Sequence, residues 1–271
     1  MTVTLIRPTS VATTPPGYAA QLAALPTVTL EALATEAERM TRVDRKYILP
    51  LADLDAVLAA TAGDAVALEI ADRRTFGYSS TYLDTPVLRA YHDGGRSRRR
   101  RFKVRGRSYL DTGHHFLEVK TRGARGTTVK ERIELEAPVR GPLSPLESSF
   151  VEATLASHGL TDVDVSALRP TLEVEYSRTT LAFLSAGNRT TIDTGLIWRA
   201  ADGTSAVAQD VAVVETKAGS TATPVDRVLW RMGHRPIRLS KYGAGLARTN
   251  PALPHLKWHR TLTNSLLALA S

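Results

Sequence analysis

Apolar and polar residues alternate along much of the chain, and this two-residue period predicts β-strands. Most alternating segments are bounded by Gly, Asp or Pro, which end strands and form turns. Short connections of this kind favour antiparallel pairing of neighbouring strands. The predicted strands are 42–49, 76–84, 97–109, 114–121, 128–137, 170–183, 189–198 and 210–217.

Apolar residues at helical spacing predict further elements before and between these strands. The first of them has Thr29 as a candidate N-cap. The predicted helices are 28–40, 51–62, 86–92, 143–157 and 224–232. We therefore predict an α+β fold with a folded domain at 28–250, a disordered Thr/Pro-rich tail at 1–27 and a C-terminal tail at 251–271.

Several predicted strands carry basic and acidic residues together on the face opposite their apolar residues. In 114–121, Glu118 and Lys120 share one face, whereas Leu117 and Val119 share the other. A solvated sheet face with cross-strand ion pairs explains any single strand of this kind. Taken together, the strands also fit a closed antiparallel barrel of about eight strands, with its polar face inward and helices packed outside.

The predicted strand 97–109 is unusual because its charges all have one sign. The segment between Arg96 and Arg107 holds eight basic residues and no acid. Five of them alternate and would share one face: Arg99, Arg101, Lys103, Arg105 and Arg107. Like charges on one strand face repel, and a polyanion lying against that face would relieve the repulsion.

Composition supports a focused anion-binding surface. The net charge is +8, so without the eight cations of segment 96–107 the remainder would be near neutral. With no cysteine, the chain has neither disulfides nor thiolate metal ligands. We find neither an apolar run of membrane-spanning length nor a signal pattern at the N-terminus, and we expect a cytoplasmic protein without a membrane span.

A series of short motifs, in order along the chain, resembles the VTC domain, the catalytic polyphosphate polymerase domain of the vacuolar transporter chaperone complex. The resemblance runs from Arg39 to Arg248, and VTC domains belong with the triphosphate tunnel metalloenzymes, relatives of the CYTH-type triphosphatases. The motifs are RVDRKY, YLDT, KVRGRSY, EVKT, VKER, RPTLEVEYSR, RTTIDT, VVETK and SKYGAG.

The resemblance implies transfer of the γ-phosphoryl group of ATP onto a growing polyphosphate chain inside a basic tunnel, with Mn²⁺ or Mg²⁺. It implies catalytic roles for Arg105, Arg107, Lys120 and Glu215, with Glu215 as the metal ligand. The implied partners are ATP and inorganic polyphosphate. A membrane-protein partner is also compatible with the resemblance. The implied phosphate-binding residues are Lys46, Lys103, Arg105, Arg107, Lys120, Lys130, Arg132, Arg178, Arg189, Lys217 and Lys241.

The chain departs from the family pattern at three places. The ExExK signature of the wider superfamily is replaced by Arg42-x-Asp44-x-Lys46, which weakens any metal site there. Arg122 stands where the eukaryotic motif tends to have His, so a proton-handling role is in doubt at that position. Regular alternation separates Glu175 from Arg178, and we rank Arg178 above Glu173 and Glu175 as a site residue.

Three other functions remain open at this point. A triphosphatase of the same superfamily would use nearly the same residues and give the phosphate to water. A non-catalytic sensor would bind polyphosphate or inositol phosphates without turnover. Nucleic-acid binding is not expected, because base recognition usually needs aromatic side chains between the cations, and here only Phe102 and Tyr109 are present.

Overall fold

The computed structural model describes residues 15–37, 43–123, 127–219 and 221–263 of the chain. The α-helices are α1 (Pro16–Ala24), α2 (Leu30–Ala37), α3 (Leu54–Ala59), α4 (Arg89–Gly95), α5 (Pro145–Ser157), α6 (Pro224–Arg231), α7 (Lys241–Thr249) and α8 (His259–Thr263). The strands are β1 (Thr27–Val28), β2 (Val43–Pro50), β3 (Val66–Leu68), β4 (Thr75–Asp84), β5 (Phe102–Tyr109), β6 (His114–Arg122), β7 (Thr128–Leu135), β8 (Arg169–Phe183), β9 (Asn188–Ala200), β10 (Ser205–Val207) and β11 (Val211–Ala218).

The chain forms two compact units. The first comprises Met1–Arg74, Thr179–Gly195 and Gln209–Arg235, and the second comprises Thr75–Arg178, Leu196–Ala208 and Pro236–Ser271. The long strands β8 and β9 are each divided between the two units, after Arg178 and after Gly195.

Antiparallel pairing dominates both units, which confirms the α+β class. In the first unit the strand order is β2-β11-β9-β8, and in the second it is β8-β4-β5-β6-β7. Within the described residues neither order closes on itself, so the closed barrel is not confirmed. The predicted hairpin of β5 and β6 is confirmed, with Tyr109 paired to His114 at its turn.

The first unit has an apolar core that includes part of the predicted N-terminal tail. Residues 16–24 form α1 rather than a disordered segment, and Tyr18 and Leu22, one helical turn apart, are buried in the core beside Leu54 and Leu58. Arg74 donates to the carbonyls of Leu22, Ala23 and Leu25 at 2.5, 2.6 and 3.0 Å and so satisfies the C-terminal end of α1. The tail prediction is therefore wrong for this helix, and residues 1–14 lie outside the described residues.

The second unit buries the apolar face of β5 and β6. Phe102, Val104, Leu117 and Val119 are all at most 1% exposed. Gly106 allows close packing here, because a Cβ at this position would lie 2.7 Å from the Cβ of Val139.

The C-terminal part of the chain also packs in the second unit. Trp258 is 2% exposed, and it lies where a Cβ on Gly243 of α7 would be 2.3 Å from its ring. The chain beyond residue 250 therefore continues the folded unit as far as residue 263, and residues 264–271 lie outside the described residues. None of the helices in the described ranges is both long and apolar enough to cross a bilayer.

The strand predicted at 97–109 is shorter than expected. β5 begins at Phe102, and residues 97–101 form bends after α4, where the Arg101 guanidinium donates to the carbonyls of Ser97 at 3.5 Å and Arg98 at 2.5 Å. The prediction of five cations on one strand face is therefore wrong for Arg99 and Arg101. Lys103, Arg105 and Arg107 are the cations that alternate on β5.

Candidate functional site

A buried carboxylate lies among cations on the polar face of β5, β6 and β7. The strand register places Arg105 opposite Glu118, and Glu118 opposite Arg132. Arg105 Nε donates to Glu118 Oε2 at 2.7 Å, and a second guanidinium nitrogen of Arg105 donates to the same oxygen. Lys130 Nζ lies 3.5 Å from Glu118 Oε1, and Arg107 Nε lies 3.9 Å from Oε2.

Glu118 remains ionised although it is only 1% exposed. Its burial alone would raise the carboxyl pKa, but the charges of Arg105, Arg107, Lys130 and Lys120 outweigh burial and hold that pKa well below its usual range. Since one negative charge faces four positive ones, this part of the face keeps a positive excess. An anionic ligand would complete the charge balance.

Three lysines form the next row across the same strands. Lys103 pairs with Lys120 and Lys120 with Lys130, although like charges directly opposite each other destabilise a sheet. The Arg105 charge, burial, and the Arg107 and Lys103 charges together lower the pKa of Lys120 well below its usual value, against the opposing charge of Glu118. Lys103 Nζ donates to Ser240 Oγ at 2.8 Å. This lysine row is the kind of surface that a phosphate chain would stabilise.

In the same unit, a second set of cations lies over the rings of two tyrosines. Tyr78 and Tyr176 stack with centroids 5.4 Å apart. The Arg107 guanidinium lies 5.5 Å from the Tyr78 centroid, Arg178 lies 5.2 and 5.3 Å from the two rings, and Lys241 Nζ lies 4.7 Å from Tyr176. Burial, opposed by the Arg178 charge, raises the pKa of Tyr78 to about 12, so this ring is neutral near pH 7. The rings orient cations without adding negative charge, which leaves those cations able to attract phosphate.

Helix α7 holds Lys241 in position. Ser240 is its N-cap and accepts from Gly243 N at 3.1 Å, and the Lys241 carbonyl accepts from Trp198 Nε1 at 3.0 Å. The adjacent Tyr242 donates to the buried Asp84 at 2.6 Å. The SKYG motif is therefore the start of a helix, which the strand and helix patterns did not predict.

The first unit contains a smaller charged cluster on β2, β11 and β9. Lys46 lies opposite Glu215, and Lys217 lies opposite Arg189. Lys46 Nζ is 3.2 Å from Glu215 Oε2, and Lys217 forms an ion pair with Oε1. The VVETK strand thus places both of its charged residues on one face, as its alternation predicts.

The reverse face of the same strand pair is anchored by the buried Asp226. Its Oδ1 accepts from Tyr47 at 2.6 Å and from Thr216 at 2.7 Å, while Oδ2 lies 3.3 Å from Arg45 Nη1. Asp226 also forms the capping box of α6 with Thr223. Because Tyr47 and Thr216 are chain neighbours of Lys46 and Glu215, this network stabilises the strands that present the Lys46–Glu215–Lys217 cluster.

Glu215 is the residue for which the resemblance implies a metal-ligand role. Its two carboxylate oxygens face the ammonium groups of Lys46 and Lys217. Within the described ranges, no group of three or more His, Cys, Asp or Glu side chains is placed to hold a metal ion. The described side chains therefore do not form a protein-built divalent-cation site.

The predicted site residues fall into two groups, one in each unit. The first unit holds Lys46, Arg189, Glu215 and Lys217, and the second holds Lys103, Arg105, Arg107, Lys120, Lys130, Arg132, Arg178 and Lys241. Arg178 lies over the tyrosine rings, Glu173 accepts from Ser79, and Glu175 pairs with Arg199. The ranking of Arg178 above the two glutamates stays a prediction. Arg42 lies outside the described residues.

The sequence interpretation missed the central role of Glu118 and the tyrosine platform formed by Tyr78 and Tyr176. The available signal for Glu118 was the register of a short hairpin, since pairing Tyr109 with His114 places Arg105 opposite Glu118. No comparable local signal connects Tyr78 with Tyr176, which are far apart in the sequence and meet through pairing of β4 with β8.

Comparison with known proteins supports a family assignment. Residues 41–250 match the family described as VTC domain. No curated protein matches the chain.

Solved structures give weaker similarities. A candidate adenylate cyclase from Bacillus halodurans is 10% identical, with a TM-score of 0.46 over 74% of this chain and 96% of that one. The candidate adenylyl cyclase HpAC1 from Hippeastrum, for which a dominant triphosphatase activity is described, is 14% identical, with a TM-score of 0.42 over 79% and 99%. The assignment therefore rests on the match over residues 41–250.

Proposed function

The chain belongs to the VTC domain family, and from that premise we propose that it is a polyphosphate polymerase. It transfers the γ-phosphoryl group of ATP to the end of an inorganic polyphosphate chain. The observation that carries the proposal is the positive excess around Glu118, where four cations face one carboxylate and continue into a row of lysines.

The chemistry needs positioning and charge neutralisation more than covalent help from the protein. An oxygen of the terminal acceptor phosphate bonds to the γ-phosphorus of ATP, the bond to the β–γ bridging oxygen breaks, and ADP leaves. The acceptor oxygen is already anionic, so the step needs no strong general base. Cations around the transferred group stabilise the charge on its equatorial oxygens.

In this proposal Arg105, Arg107 and Lys120 bind the triphosphate. Arginine suits bidentate contact with phosphate oxygens, while lysine offers a movable point charge. The remaining cations of the second unit bind neighbouring phosphates: Lys103, Lys130, Arg132, Arg178 and Lys241. In the first unit, Lys46, Arg189 and Lys217 stay predicted phosphate-binding residues. The requirement for Mn²⁺ or Mg²⁺, with Glu215 as ligand, stays a prediction, and no step above depends on it.

The test is incubation of the purified full chain with γ-labelled ATP and Mn²⁺, followed by gel separation of products. A ladder of labelled phosphate chains together with ADP supports the polymerase. Labelled orthophosphate alone identifies a triphosphatase, and tight polyphosphate binding without ATP turnover identifies a sensor. Either result would overturn the polymerase.

The matched variants are Arg107→Gln, which removes a proposed triphosphate ligand, and Arg140→Gln, which removes an exposed cation outside the site. We expect chain formation to fall strongly in the first variant and to stay near wild type in the second. Equal loss in both would indicate a dependence on net charge rather than on the site.

A further inference from the structure

A second basic surface lies outside the groups described above, in the segment that leaves α4 and enters β5. Four arginines are exposed there: Arg96, Arg98, Arg99 and Arg100. Protein surfaces usually carry basic and acidic residues interspersed, so a run of one sign is unusual. We define the outer basic surface as the following residues: Arg96, Arg98, Arg99, Arg100, Arg101, Arg122, Arg238 and Lys257.

The backbone of this surface is held in one conformation by hydrogen bonds. Arg96 N donates to His92 O at 2.9 Å, and Arg98 N donates to Asp93 O at 2.9 Å. The Arg101 side chain donates to Ser97 and Arg98 carbonyls, and Lys257 Nζ donates to Gly94 O. Two cations thus stabilise the loop that presents the others.

Carboxylates do not neutralise the core of this surface. In the part of the chain that the structure describes, no ion pair joins an acid to Arg101, Arg122, Arg238 or Lys257. The nearby Asp93 and Asp162 both pair with Arg89, at 3.5 and 2.8 Å. Burial, together with the charges of Arg101, Arg238 and Arg122, lowers the pKa of Lys257 from its usual value.

The outer basic surface is continuous with the lysine row. On β6, Arg122 lies two residues beyond Lys120 and therefore shares its strand face, whereas Arg101 directly precedes the first residue of β5. Successive rows on one strand face are about 6.6 Å apart. Positive charge therefore continues along this face of β6 from Lys120, beside the buried Glu118, to Arg122 at the exposed end of the strand.

We propose that the outer basic surface binds the part of a polyphosphate chain that extends beyond the triphosphate-binding residues. The identity of this ligand rests on the proposed function. Guanidinium groups form bidentate hydrogen bonds with phosphate oxygens, and a linear chain of phosphates can contact several neighbouring cations at once. Single-stranded nucleic acid needs exposed rings for its bases, whereas Phe102 and Trp258, the aromatic neighbours of this surface, are 1% and 2% exposed.

The test compares long-chain polyphosphate with tripolyphosphate in equilibrium binding to the full chain without ATP. The outer variant combines Arg98→Gln, Arg99→Gln and Arg122→Gln, which replace three exposed arginines. The control combines Arg140→Gln, Arg227→Gln and Arg231→Gln, exposed positions elsewhere with the same change in charge. We expect the outer variant to bind long chains about tenfold more weakly at low salt, with a shallower salt dependence.

The proposal assigns a three-phosphate ligand to the triphosphate-binding residues, so the affinity of tripolyphosphate should be the same in all three proteins. The inference is overturned if the outer variant and the control lose long-chain affinity equally, if neither loses any, or if single-stranded nucleic acid of equal charge binds the outer surface more tightly than polyphosphate. Because binding is measured without ATP, this result does not depend on turnover. A wild type that hydrolyses ATP but still prefers long chains would overturn the polymerase and keep the outer binding surface.

Discussion

Glu118 in the second unit and Glu215 in the first are both surrounded by cations, but they differ in burial and in the cations they face. Glu118 is 1% exposed and is held by the planar guanidinium of Arg105. The Glu215 side chain is 14% exposed and faces the ammonium groups of two lysines, which are compact point charges on flexible stems. The difference indicates that Glu118 acts as a buried counter-ion, whereas the ion pairs of Glu215 are more accessible to solvent.

The largest expected effect is that of Glu118→Gln on stability. The change leaves buried cations without their counter-ion, and breaking a buried ion pair in this way costs about 3–5 kcal/mol. Urea unfolding at neutral pH measures the loss. Glu134→Gln is the control, because Glu134 of β7 is 61% exposed and pairs with the exposed His114. Equal losses in both variants would contradict a special role of Glu118.

The pH dependence of stability follows from the same carboxylate. Its pKa is lower in the folded state, so its contribution is fully present above the pKa of an unfolded glutamate, about 4.3. The contribution is lost as the pH falls through the lower folded value. Wild type should therefore lose more stability than Glu118→Gln over this acidic range, and parallel acid-unfolding curves would refute the assignment.

The next largest expected effect is a loss of ligand binding when a tyrosine ring beneath the cations is removed. Tyr78→Leu removes the ring beneath Arg107 and Arg178, and each cation–π contact contributes roughly 0.5–2 kcal/mol. We expect the KM for ATP to rise about tenfold, in line with roughly 1.4 kcal/mol of lost binding. Tyr78→Phe keeps the ring and should restore binding; a Phe variant as weak as the Leu variant would show that the hydroxyl, not the ring, matters.

Glu215→Gln should have a smaller effect, and it decides between two roles. If Glu215 acts only as an ion-pair partner of Lys46 and Lys217, removing its charge makes this cluster more positive. Polyphosphate should then bind a few-fold more tightly, in line with the modest energies of partly exposed pairs, about 1 kcal/mol. The Mn²⁺ concentration for half-maximal turnover should stay unchanged. A clear rise in that concentration would instead support the metal-ligand role that the resemblance implies.

The smallest expected effect is a change in the number of protons bound when the ligand binds. The pKa of Lys120 is lowered chiefly by Arg105 and by burial, and an anionic ligand beside it would raise that pKa again. Triphosphate binding should therefore be accompanied by proton uptake, which calorimetry in buffers of different ionisation enthalpy detects. Lys120→Arg, always charged, should abolish the uptake; uptake that persists in this variant would assign the proton to another group.

Local patterns predicted much of the charged face. The alternation in β5, β6 and β11 correctly placed Lys103, Arg105 and Arg107 on one strand face, and Glu215 with Lys217 on another. It failed at Arg99 and Arg101, because alternation continues past the residue at which strand pairing begins. Helix α1 was missed because a helix of nine residues is too short to be stable alone, and it becomes ordered when a core exists to receive Tyr18 and Leu22.

The sequence by itself determined the strands, their polar faces and the concentration of cations, since these depend on residue type and on a two-residue period. Only the tertiary structure decided which charges are neutralised. Glu118 becomes a buried counter-ion through the register of β5, β6 and β7, and Tyr78 meets Tyr176 through pairing of strands far apart in the chain. The physical reason is that electrostatic energy depends on distance and burial, and neither quantity can be obtained from the order of the residues alone.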